Sequence, residues 1–140
     1  MQAENRAEGE TRKELARHPL TIEIAPDLPL VRMDFELMVH ALNNLLSNAA
    51  FHTPPGTEIR LSVKAVNGSM LLSVADRGPG IPPESMPHLF EKFYRAPNAR
   101  TGGSGLGLSL VKGFVEAHGG QVQAENRAGG GAAFTISLPL

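Results

Sequence analysis

The chain has 140 residues, 41% of them hydrophobic, and a formal charge of −1 from 13 basic and 14 acidic side chains. That supports one core without staples, and the absence of cysteine excludes a disulfide framework or a thiolate metal site. Balanced charge with no polybasic run, an aromatic fraction of 5% without Trp, and no apolar run near the ~18 residues of a membrane span argue against nucleic-acid binding, direct membrane contact and a spanning helix. The polar opening residues are not a signal peptide.

In chain order, residues 1–17 are charged and poor in apolar side chains, and read as a linker or tail ahead of one domain over 18–140. Gln2–Ala7 (QAENRA) repeats Gln123–Ala128, which chance or an appended tail explains. Leu20–Ile24 alternates as a strand and is ended by Pro26 and Pro29. Asp34 is a suitable N-cap for a helix carrying Leu37, Ala41, Leu45 and Ala49 at helical spacing, stopped by Pro54-Pro55-Gly56. Ile59–Val66 and Met70–Val74 read as a hairpin about Asn67-Gly68, and the second strand runs into Asp76. Pro87–Tyr94 reads as a short helix docked by Phe90 and Phe93, and Ala96–Gly105 as a polar loop. Leu106–His118 is a helix with Leu106, Leu110, Phe114 and Ala117 on one face, stopped by Gly119-Gly120. Strands at Gln121–Glu125 and Ala132–Leu138 close the chain. Hairpins that do not alternate regularly with helices predict an α+β fold, a two-layer sandwich with helices on one sheet face.

Four clusters carry candidate chemistry. His40, Asn44, Asn48 and His52 are four apart and form one polar stripe on an otherwise apolar helix. A solvated edge explains such a stripe, but asparagines are poor mid-helix residues, and an amide oxygen suits Mg²⁺. Asp76-Arg77-Gly78-Pro79-Gly80 follows a strand directly. A carboxylate there can accept from an exocyclic amine such as that of adenine, and glycines let backbone approach a flat ligand; an Asp-initiated turn needs fewer of these residues. Gly102-Gly103-Ser104-Gly105-Leu106-Gly107-Leu108 has the character of amides wrapping phosphates at a helix start, without the spacing of a P-loop or a dinucleotide fingerprint. Leu89-Phe90-Glu91-Lys92-Phe93-Tyr94-Arg95 sets two cations beside that loop, with Arg95 placed to meet a phosphate.

These segments resemble the boxes of sensor histidine kinases. Asn44-Leu45-Leu46-Ser47-Asn48-Ala49 looks like the N box, Asp76–Pro82 like the first glycine box, Leu89–Arg95 like the F box, and Gly103–Leu108 like the second glycine box. Glu116-Ala117-His118-Gly119-Gly120 through Pro139 is similar to the family's last helix and hairpin, and Asp76–Pro139 looks most like potassium-sensing KdpD kinases. The match covers roughly residues 18–140. It implies the Bergerat ATP-binding fold, a mixed sheet of about five strands under about three helices, and ATP and Mg²⁺ as cofactors. It implies Asn48 as the metal ligand, Asp76 as the adenine reader, and Asn44 and Arg95 as the catalytic pair. The rest of the nucleotide site is then His52, Gly78, Gly80, Ile81, Phe90, Lys92, Tyr94, Gly103, Ser104, Gly105, Leu106, Gly107 and Leu108, with a lid over Ala96–Ser104. Many relatives carry Lys or Arg where this chain has Phe51, so a cation is missing from the phosphate side.

A water-activating ATPase of the gyrase type needs a carboxylate near position 44, and Asn44 is no base. The resemblance therefore implies transfer to a histidine on a separate dimerisation domain of the same kinase, then to a response regulator receiver domain. It implies a cytoplasmic location and a monomeric isolated domain. His18-Pro19 lacks the pattern of a phosphoacceptor. Two other readings stay open: an anti-sigma-factor-type serine kinase, and a degenerate nucleotide-binding regulatory module.

Overall fold

The computed structural model describes residues 15–31, 33–94 and 107–140. Five strands form one sheet in the order β1-β2-β3-β5-β4: β1 (Leu20–Ile24), β2 (Ile59–Val66), β3 (Ser69–Asp76), β4 (Gln121–Asn126) and β5 (Ala132–Pro139). β1 runs parallel to β2, and every other pairing is antiparallel. The single parallel pair is bridged by α1 (Phe35–His52), the crossover that parallel neighbours require. β2 and β3 are joined by Asn67 and Gly68 alone, both at positive φ (50° and 80°), as a two-residue hairpin demands.

Alternation along the strands separates the two faces. Ile59, Leu61 and Val63 register with Asp76, Val74 and Leu72, and Val74 and Leu72 with Phe134 and Ile136 of β5. This face carries the core, in which Leu45, Ile59, Val74, Val111, Val115, Ile136 and Leu138 are fully buried. The opposite face is polar, with Arg60, Ser62, Lys64, Ser73, Thr135 and Gln123, and Ser73 and Thr135 hydroxyls meet across it at 3.2 Å. A sheet wetted on one side and covered by helices on the other is the expected two-layer α+β arrangement.

α1 begins as the sequence indicates, with the Asp34 carboxylate accepting from Leu37 N–H at 3.1 Å. Met38, Ala41, Leu45, Ala49 and Ala50 are its buried stripe. It ends without a glycine. Thr53 turns extended (φ −126°, ψ 150°), and two side chains serve the free terminal carbonyls: the Thr53 hydroxyl donates to Ala49 O at 2.8 Å, and His18 Nε2 lies 3.1 Å from Ala50 O. His18, in the lead-in to β1, is 6% exposed.

Two expectations are corrected. Pro87–Tyr94 is not an α-helix. A 3-10 turn over Met86–His88 is followed by i→i+3 bonds from Glu91 to His88 and from Tyr94 to Glu91. Phe93 then adopts φ 65°, which breaks any α ladder and leaves its ring 69% exposed, so of the two rings only Phe90 reaches the core, beside Leu89. The second correction concerns α2 (Gly107–Ala117). Its buried stripe is Val111 and Val115, while Leu110 is 47% exposed. This helix is apolar on adjacent stripes about 100° apart, and its seat on the sheet selects between them. Among the described residues lie α1, α2 and one 3-10 turn, Leu15 is also helical, and no helix is long and apolar enough to cross a membrane.

Candidate nucleotide-binding site

The site gathers where β3 ends, beside the C-terminal half of α1. Asp76, 6% exposed, is the last residue of β3. Its Oδ1 accepts from Gly78 N–H at 2.9 Å and from Ala132 N–H at 3.2 Å. Among the described residues Asp76 Oδ2 receives no hydrogen bond, so one oxygen fixes the group and the other stays available. The Asp76 carbonyl accepts from Arg127 Nη1 at 2.8 Å. Two backbone amides and one side-chain guanidinium thus hold this residue's side chain and main chain in a set orientation.

The glycines around Asp76 are required by close approach. A Cβ on Gly78 would fall on the Thr53 methyl, and one on Gly131, at φ +96°, would fall on the Asp76 carbonyl. Gly80 and Ile81 are fixed by Asn126, whose Oδ1 accepts from Ile81 N–H at 2.7 Å and whose Nδ2 donates to Ile81 O at 2.9 Å. The side-chain amide acts as a peptide partner for a segment with no strand neighbour. Next to this turn lies a pocket of about 490 Å³ lined by His52, Thr53, Pro54, Pro55, Thr57, Arg77, Gly78 and Pro79.

The polar stripe of α1 lies along the same side. Asn44 and Asn48 are half-buried and one turn apart, and His52 is exposed at the helix end. The closest groups to a Cβ built on Gly107, the first residue of α2, are Asn44 Cγ and Oδ1 at 3.9 Å. The fold therefore brings the stripe against the start of the helix that follows the second glycine segment. Leu108 is half-buried against the core.

The aromatic segment is largely occupied with itself. Phe90 packs edge-on to Phe134 (centroids 6.3 Å, 83°). The Tyr94 hydroxyl donates to the buried Ser85 Oγ at 2.6 Å, and His88 Nδ1 meets Glu91 Oε2 at 2.8 Å. Lys92 is exposed. Arg95, Gly103, Ser104, Gly105, Leu106 and the expected lid Ala96–Ser104 lie outside the described residues, as do residues 1–14 of the expected linker.

Sequence reasoning did not single out Thr53, Asn126, Arg127 or Gly131 as part of this site. Asn126 is 45 residues from Ile81 and Arg127 is 51 from Asp76, so no local spacing relates them. Their one signal was the Gly129-Gly130-Gly131 run beside them.

The fold is shared with known proteins. Residues 33–140 match the family of histidine kinase-, DNA gyrase B-, and HSP90-like ATPases. The chain is 38% identical over 139 residues to the sensor-like histidine kinase SenX3 of Mycobacterium tuberculosis, covering 95% of this chain and 34% of that protein. It is 33% identical over 131 residues to the sensor protein KdpD of Clostridium acetobutylicum, covering 91% and 14%, so a KdpD is one of several relatives. In structure it resembles the mycobacterial sensor histidine kinase MprB, with TM-score 0.83, 33% identity, and coverage of 96% of this chain and 91% of that one. The chain spans about a third or less of the curated relatives it matches.

Proposed function

The chain belongs to the histidine kinase-, DNA gyrase B-, and HSP90-like ATPase family, as a histidine kinase ATP-binding domain, and on that premise we propose that it binds Mg-ATP with Asp76 reading the adenine and Asn48 the metal, and donates the γ-phosphoryl group to a histidine on a dimerisation domain. The observation that carries this reading is the Asp76 carboxylate, pinned through Oδ1 by Gly78 and Ala132 with Oδ2 left over. An acceptor held this way is matched to an exocyclic amine and is oriented before the ligand arrives.

The donor set fits a metal that arrives with its phosphates. No group of three or more His, Asp or Glu among the described residues could hold a resident ion. Mg²⁺ takes one or two protein oxygens and completes its shell with phosphate and water, and Asn48 on the stripe supplies an amide oxygen of that kind. When bound, the ion would neutralise charge on the phosphate oxygens. The chain's own part is positioning. Asn44 lies against the start of α2, a helix end of the kind that favours phosphate oxygens, and Arg95 would supply a cation from the aromatic segment. Asn44 cannot take a proton from water, so transfer to another nucleophile is favoured over hydrolysis. The longer relatives are named as histidine kinases, and in this reading the acceptor histidine and a response regulator receiver domain lie outside this segment, in a cytoplasmic sensor kinase.

Calorimetric titration with ATP and Mg²⁺ tests the reading. In Asp76→Asn the amide oxygen still accepts from Gly78 and Ala132, but an NH₂ then faces the adenine amine, donor against donor. Losing a hydrogen bond to a charged group, about 1.5–3 kcal/mol, should weaken binding roughly tenfold to a hundredfold. Equal affinity in the variant would remove Asp76 from the adenine contact. No binding by the parent chain would bring the degenerate regulatory module forward, with Phe51 as the defect.

A further inference from the structure

We propose that His18 is a positioning residue for the nucleotide pocket, pinning the lead-in segment, the end of α1 and the pocket wall to one another; this rests on the ATP-binding reading above. His18 is 6% exposed, although its neighbours Arg17 and Pro19 are exposed. Nothing in the nucleotide chemistry uses it. Its Nδ1 lies 2.8 Å from Thr57 O and its Nε2 lies 3.1 Å from Ala50 O. Both partners are carbonyl oxygens, so the ring serves only as a donor. A neutral ring satisfies one of them at a time, and the doubly protonated ring both.

The two carbonyls belong to different parts of the site. Ala50 O is a terminal carbonyl of the helix that carries Asn44, Asn48 and His52. Thr57 lies in the pocket wall with Thr53, Pro54 and Pro55. Backbone bonds flank the ring on either side, from Gly56 N–H to Arg17 O at 2.7 Å and from Ile59 N–H to Pro19 O at 2.9 Å. The lead-in is thereby zipped along the loop, with the imidazole as its side-chain bolt. From there the contact runs to the adenine reader in three steps. Thr53 is tied to α1 through Ala49 O, its methyl sits where a Gly78 Cβ would be, and Gly78 N–H holds Asp76 Oδ1. A shift of the lead-in is transmitted to the pocket wall and to the orientation of Asp76.

The experiment compares ATP affinity and melting temperature in the parent, His18→Leu and His18→Gln, with Val115→Ala as a control that loosens the core under α2. Gln keeps an N–H donor near the place of Nε2, and Leu has none. His18→Leu should bind ATP at least about fivefold more weakly than a control of equal melting temperature, the size of effect one lost hydrogen bond gives, and His18→Gln should recover most of it. The clip is also read without nucleotide, as faster hydrogen exchange at the amides of Gly56, Thr57 and Gly78 in His18→Leu but not in Val115→Ala. If the parent itself binds no ATP, the ATP-binding reading fails while the exchange arm still decides the clip. If His18→Leu does not fold, His18→Ala with added imidazole replaces it, and recovery of affinity supports the role. Parent-like affinity and exchange in His18→Leu, no advantage of Gln over Leu, or no recovery with imidazole would overturn the proposal.

Discussion

Around Asp76 the chain has no spare volume and few spare donors. Gly131 is buried at φ +96°, and its Cα lies where any Cβ meets the Asp76 carbonyl. Gly131→Ala combines a left-handed backbone strain with overlap onto the Asp76 carbonyl that Arg127 already holds, and we expect a loss on the order of 3 kcal/mol. A denaturant series measures it. A loss under about 1 kcal/mol would mean that the 127–131 loop relaxes freely and does not buttress Asp76. Thr53 shows the same economy, since its hydroxyl caps α1 while its methyl fills the space that Gly78 leaves.

Between elements, one histidine joins the two helices. His118 follows α2, its Nδ1 donates to Phe114 O at 2.7 Å, and its Nε2 accepts from Asp34 N–H at 2.8 Å. That acceptance fixes the tautomer with the proton on Nδ1. Asp34 in turn caps α1 through its carboxylate. His118→Phe should cost about 1–2 kcal/mol through these two bonds, and Asp34→Ala about 1 kcal/mol through the cap. The two changes remove different bonds, so the double variant should lose close to the sum. Thermal melts of the three variants decide this, and a double variant no worse than His118→Phe would show that the cap depends on the histidine.

At the scale of the whole molecule, the layer of helices is narrower than the sheet. Leu20, Ile22 and Ile24 of β1 share the face of Ile59, Leu61 and Val63, yet they are 44%, 55% and 63% exposed because neither helix covers that edge. The strand is only five residues long and carries Glu23 paired with Arg60 at 3.3 Å, which limits its use as an open edge. We expect a monomeric mass by light scattering for the domain alone, and a dimer would count against this. On the proposed function the acceptor histidine lies outside this segment, and the domain incubated with labelled ATP should take up no label. A phosphohistidine on any of its five histidines would refute that.

The sequence by itself determined the elements whose causes are local. Asp34 ahead of a periodic run, Asn67-Gly68 between alternating runs, and Pro54-Pro55 after the helix each act within a few residues, and all five strands form where alternation placed them. The runs that carried the family resemblance could be read for the same reason, since each is contiguous in the chain. The sequence could not select among stripes of nearly equal apolarity, so α2 buries Val111 and Val115 in place of Leu110, and the aromatic segment coils as turns because Phe93 crosses to positive φ. Nor could it show the supports of the site. Asn126 on Ile81, Arg127 on Asp76 and His18 on Thr57 join residues 39–51 positions apart. Such pairings leave no periodicity in the chain, and they exist only once the sheet order sets β5 beside β3 and the lead-in beside the end of α1.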